Sequence, residues 1–91
     1  MSVTVRIPGP LRKFTAGQGK VQAEPGTLRA ILDGLAGTHD GLRSKLFDEA
    51  GELRPVVRVF VGETDIRALA GLDTEVSAGQ VVALVLPVAG A

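Results

Sequence analysis

The chain has 91 residues, with ten basic and ten acidic side chains, one histidine and no cysteine. That length suits one domain over residues 1–91 with a single modest core. Balanced charge argues against nucleic acid or an anionic membrane as partner, and the missing thiols exclude disulfides, a thiolate nucleophile and a thiolate metal site.

Val3, Val5 and Ile7 alternate with Thr4, Arg6 and Pro8, which predicts a half-buried strand ended by Pro8-Gly9-Pro10. The N-terminus runs straight into this strand, so neither a signal peptide nor a transmembrane run is expected, and a cytoplasmic location is. Leu11 to Thr15 is read as irregular, and Ala16-Gly17-Gln18-Gly19 as a hairpin turn. Lys20 to Glu24 alternates again, with Val21 and Ala23 on the core side.

Pro25-Gly26 breaks that strand, and Thr27 is a good N-cap. Leu28, Ile31, Leu32 and Leu35 fall at helical spacing and form one apolar stripe. The helix is expected to end near Ala36-Gly37, with glycine in the left-handed cap. Thr38 to Gly41 is a loop, and Leu42, Leu46 and Phe47 suggest a short second helical turn. Asp48 to Glu52 reads as an exposed turn.

Val56 to Val61 is the third strand, with Val57, Val59 and Val61 facing the core and Arg58 and Phe60 facing outward. Ile66-Arg67 and Asp73 to Val76 are candidate short strands, joined by a connector with a bend at Gly71. The last strand is the run Val81 to Leu86, six apolar residues without a break. Such a run predicts cover on both faces. It is followed by Pro87-Val88-Ala89-Gly90-Ala91, a slim tail of small residues after a breaker.

A hairpin, a crossing helix and a return to the same sheet make an α+β roll. The right-handed crossover rule places the last strand beside the first, parallel to it, in the middle of the sheet. That is the β-grasp, or ubiquitin-like, fold: a mixed sheet of four to five strands gripping one main helix.

In this order the short motifs resemble one family. Ile7-Pro8 with Leu11-Arg12 and Thr15, Leu53-Arg54-Pro55 with Val59-Phe60-Val61 and Asp65-Ile66-Arg67, and Gly79 with Val82 and Pro87-Val88-Ala89-Gly90 are similar to the ubiquitin-like sulfur carriers. That family includes the small subunit of molybdopterin synthase and the carriers of the thiamine and cysteine pathways. The middle block is most similar to the cysteine and thiolation carriers, with the molybdopterin synthase subunit as the alternative. The resemblance implies a carrier, not an enzyme, with no bound cofactor. It implies an adenylating partner of the ubiquitin-activating type that uses ATP on the C-terminal carboxylate. Sulfur then displaces the adenylate, and a second partner, a sulfur-accepting synthase, consumes the thiocarboxylate. The family ends in two glycines, whereas this chain ends Gly90-Ala91. Either Ala91 is itself activated, or a C-terminal peptidase removes it to expose Gly90, or the chain is a non-charging adaptor.

Besides Gly90 and Ala91, the partner-facing candidates are Phe60, Val85, Leu69, Arg58 and the tail residues Pro87, Val88 and Ala89. Phe60 is expected to be an exposed aromatic and Val85 to join it in an apolar patch. Leu69 either borders that patch or plugs the core. Arg6, Arg58 and Arg67 are either a basic rim beside the tail or ordinary solvated charges. His39 is assigned no catalysis. A monomer is expected in isolation.

Overall fold

A computed structural model describes residues 2–39 and 41–86; Met1, Asp40 and residues 87–91 lie outside the described residues. Strand β1 (Val3–Arg6) buries Val3 and Val5 and turns Thr4 and Arg6 outward. It pairs antiparallel with β2 (Lys20–Ala23), with Val5 opposite Val21 and Arg6 opposite Lys20. Val21 and Ala23 pack against the core as their alternation predicts.

The segment read as irregular is a 3-10 helix, Gly9–Thr15. Pro8 and Pro10 fix the entering backbone, and the Leu11 N–H donates to the Pro8 carbonyl at 2.9 Å. Leu11 and Thr15 are both buried. The Thr15 hydroxyl reaches the Gln18 carbonyl at 2.8 Å, so this buried polar group is satisfied. Two anchors four residues apart are too few to show a period, which is why alternation alone missed the helix.

Helix α1 (Leu28–Thr38) begins at Thr27, whose Oγ1 accepts from the Ala30 N–H at 3.2 Å. Leu28, Ile31, Leu32 and Leu35 are all buried. The helix runs past Ala36-Gly37 and ends at Thr38, with His39 in an extended conformation as its C-cap. Burial of Leu35 and Ala36 holds the final turn on the core, so the glycine does not end it. The left-handed glycine is Gly41 (φ 86°), which opens the short helix α2 (Leu42–Leu46). Leu42, Leu46 and the following Phe47 are buried. Phe47 bridges Leu53 across the 48–52 turn, where the Asp48 carboxylate accepts from the Ala50 and Glu52 N–H groups at 3.0 Å each.

Strand β4 is shorter than expected, Arg58–Val61, because Arg54 to Val57 forms a turn closed by the Val57 N–H on the Arg54 carbonyl at 2.9 Å. The next short strand, β5, is Thr64–Asp65, not Ile66-Arg67. Asp65 Oδ1 accepts from the Arg67 N–H at 2.9 Å, which caps a 3-10 turn at Ile66–Ala68 and puts Ile66 in the core. A second two-stranded ribbon pairs β3 (Gly26–Thr27) with β6 (Glu75–Val76). The final strand, β7 (Val81–Val85), lies between β1, to which it is parallel, and β4, to which it is antiparallel. The sheet order is β2-β1-β7-β4-β5, with α1 on its inner face. This is the β-grasp arrangement that the element order predicts. Among the described residues no helix is long and apolar enough to cross a membrane.

Candidate functional site

The last strand is not covered on both faces. Val82 and Leu84 are buried under the helix, but Val81 and Val85 are exposed and Ala83 is half-buried. The apolar run is therefore two things at once: half core strand, half surface.

Ladder registers show what shares that surface. Lys20, Arg6, Ala83, Phe60 and Asp65 form one row across all five strands. Arg58 lies opposite Val85 in the next row. Gln22, Thr4 and Val81 form the row on the other side. Phe60 thus faces outward beside the apolar stripe of β7, as its parity predicts. It is half-buried, however, not fully exposed, on a strand flanked on both sides, by β7 and by β5. Phe60 and Val85 lie on the same face, one diagonal step apart across the β4–β7 ladder.

The arginines separate into two kinds. Arg6 and Arg58 are exposed on the strands that flank β7, and neither has a carboxylate partner among the described residues. Arg67 lies past the edge strand and pairs with Asp65 at 3.7 Å. The basic rim is therefore Arg6 and Arg58, with Lys20 behind Arg6 and without Arg67. Leu69 does not plug the core; it is 46% exposed. It follows the 3-10 turn beyond β5, and no strand pairing puts it next to Phe60.

Sequence reasoning missed Val56, which it placed inside a strand. Val56 is 54% exposed in the turn that leads into β4. Because β4 is antiparallel to β7, that turn lies at the end of the sheet where β7 finishes. The signal was Pro55, which sets a turn and delays the strand by two residues. His39 is a half-exposed C-cap beside the groove between α1 and β2. Pro87, Val88, Ala89, Gly90 and Ala91, the residues of the tail candidate, lie outside the described residues.

The described surface thus offers a docking face: an apolar stripe with a half-buried aromatic, edged by unpaired guanidinium groups, on the strand that leads to the chain's last residues. A mixed five-stranded sheet with its central strand last and one helix in its grip defines a ubiquitin-like protein. The chain belongs to the ThiS family of ubiquitin-like sulfur carriers, whose model matches residues 5–90. It is 37% identical over 92 residues to the sulfur carrier protein CysO of Mycobacterium tuberculosis, with 99% of each chain covered. Among solved structures it is similar to CysO in the Amycolatopsis orientalis BexX/CysO complex, with a TM-score of 0.89, 35% identity, and 98% of this chain and 99% of that one covered. It is also similar to the small archaeal modifier protein SAMP1 of Haloferax volcanii, with a TM-score of 0.84 and 29% identity over the whole of both chains.

Proposed function

We propose that the protein, acting as one carrier domain over residues 1–91, is loaded with sulfur at its C-terminal carboxylate and delivers it for cysteine synthesis. The full-length similarity to proteins named CysO carries this reading. A partner of the ubiquitin-activating type uses ATP to turn the carboxylate into an acyl adenylate. A sulfur nucleophile attacks the acyl carbon, AMP leaves, and a thiocarboxylate remains. A sulfur-accepting synthase then consumes it. The chain itself is a protein co-substrate, not an enzyme, works in the cytoplasm and holds no cofactor of its own. Phe60, Val85, Arg58 and Leu69 contact the partners, joined by Val56. The charged residue is Ala91 itself, or Gly90 after a peptidase removes Ala91. Glycine suits the position because a missing Cβ lets the backbone approach a nucleotide closely.

The test is ATP–pyrophosphate exchange by the cognate adenylating enzyme. Exchange is expected to depend on the carrier and to vanish when Gly90 and Ala91 are deleted. Exchange, or partner function, that survives the deletion would instead favour a non-charging adaptor. The likeness to SAMP1 favours a second reading, in which the same activated carboxylate is joined to lysines of other proteins. That reading predicts ladders of conjugates on a blot. A stable complex with a larger catalytic subunit on gel filtration would favour the molybdopterin synthase alternative.

A further inference from the structure

Strand β2 is one edge of the five-stranded sheet. At the head of its ladder with β1 the Ile7 N–H donates to the Gly19 carbonyl at 2.8 Å. Hydrogen-bonded pairs alternate along an antiparallel ladder, so Val21, opposite Val5, and Ala23, opposite Val3, also turn their backbone groups toward β1. The N–H and C=O groups of Lys20 and Gln22 therefore point away from the sheet, and among the described residues no backbone bond of a turn, loop or cap uses them. Glu24 continues that parity, and Pro25 after it favours an extended backbone at 24. A row of this kind is a template for another strand. Beside it runs a groove of about 300 Å³ between β2 and α1. Ile31 and Leu35 are buried in it, Val21 and Ala23 are half-buried, and Ala30 and Gly34 are exposed on its helical wall. The space where a Cβ on Gly34 would stand is open.

The charges on this edge indicate what covers it. Lys20 stands directly opposite Arg6, a like charge. Among the described residues neither Lys20 nor Glu24 has an oppositely charged partner. Gln22 lies midway between them. Its side chain turns back over β1, where Oε1 accepts from the Ser2 hydroxyl at 2.6 Å and Nε2 donates to Thr4 Oγ1 at 3.3 Å, so it leaves the edge clear. A second copy laid antiparallel about a two-fold axis at Gln22 sets Lys20 against the second copy's Glu24, and Glu24 against its Lys20. Each facing pair, the two copies of Gln22 included, exchanges two N–H···O=C bonds. Val21 then meets the second copy's Ala23 on the groove side. An axis at Lys20 or at Glu24 would instead set like charges face to face. A lysine on an edge strand ordinarily repels another edge; this two-fold makes it half of an ion pair.

We propose that the chain self-associates through β2, two copies pairing antiparallel about Gln22 to join two five-stranded sheets into one. In the order β2-β1-β7 the last strand lies inside the sheet, away from this edge, so pairing leaves the docking face of β7 uncovered. The segment Lys20 to Glu24 makes a small interface. The dimer therefore forms at high concentration, and the monomer expected from the sequence is the dilute state.

Sedimentation equilibrium of the full chain from about 20 μM to about 2 mM tests this, with the weight-average mass expected to rise from 9.4 kDa toward twice that. Lys20→Glu alone and Glu24→Lys alone each set like charges opposite one another at both ends of the paired strands. Each is expected to weaken association at least about fivefold, since the two-fold doubles every change. The double variant Lys20→Glu/Glu24→Lys restores both opposite-charge pairs at unchanged net charge and is expected to associate within about twofold of the wild type. Amide hydrogen exchange by NMR is expected to slow at Lys20, Gln22 and Glu24 as concentration rises. A mass that stays at 9.4 kDa across the series would overturn the proposal and leave the groove to a strand from another protein. Association that neither single variant weakens would overturn it as well, and so would protection that appears on β7 and not on β2.

Discussion

Phe60 lies directly across the β4–β7 ladder from Ala83, the smallest side chain in the apolar run of β7. A larger residue at 83 would lift the ring or crowd it. Phe60 is half-buried there, on the face where Val81 and Val85, two residues either side of Ala83, are exposed. The aromatic is thus partly withdrawn from water and partly open to it.

A half-open aromatic is what an interface anchor requires. Phe60→Ala is expected to weaken binding to the adenylating partner by about tenfold or more, or ~1.4 kcal/mol. Its effect on stability is expected to be smaller, about 1 kcal/mol, because much of the ring's surface is never taken from water. Titration calorimetry and thermal unfolding on the same variant separate the two. Equal losses in both would assign Phe60 to the core.

Thr27 serves two elements. Its hydroxyl caps α1, and its backbone is half of the β3–β6 ribbon, where it pairs with Glu75. Thr27→Ala removes only the cap and is expected to cost about 1 kcal/mol. In a domain of this size that lowers the melting temperature by roughly 4–8 °C. Thr27→Ser keeps the acceptor and is expected to restore most of the loss.

The glycines divide by what a Cβ would meet. Gly34 and Gly37 lie inside α1 with open space around the missing Cβ. Replacing either by alanine is expected to stabilise the protein by about 0.5–1 kcal/mol. Gly41 has φ 86°, and its Cβ would come within 2.9 Å of the Phe14 ring. Gly41→Ala is expected to destabilise by about 1–3 kcal/mol. Chemical denaturation of the three variants reads out opposite signs from one substitution.

Much of this fold is legible from spacing. The helix stripe, the inward valines of β4 and the central place of β7 follow from periodicity and from the crossover rule, because each is set by a repeated choice between core and water. What spacing did not show is set by single local bonds. The 3-10 turn at Ile66 depends on one Asp65 cap, the late start of β4 on Pro55, and the β3–β6 ribbon on strands of two residues that cannot display alternation. The same limit applied to the site. Parity placed Phe60 and Val85 on one face, but an unbroken apolar run looks the same whether one face is covered or both, so the open half of β7 was hidden. Position in sequence likewise could not separate Arg67, tied to Asp65, from Arg6 and Arg58.

The account's central claim is that the chain's terminal carboxylate is the group that carries sulfur. The most direct measurement is the intact mass of the protein after incubation with its adenylating enzyme, ATP and sulfide, with the terminal peptide sequenced by tandem mass spectrometry. The account predicts a species in which one oxygen is replaced by one sulfur, located at Gly90 or at Ala91. A protein that binds its partner and turns over ATP, yet keeps only oxygen at both residues, would contradict it.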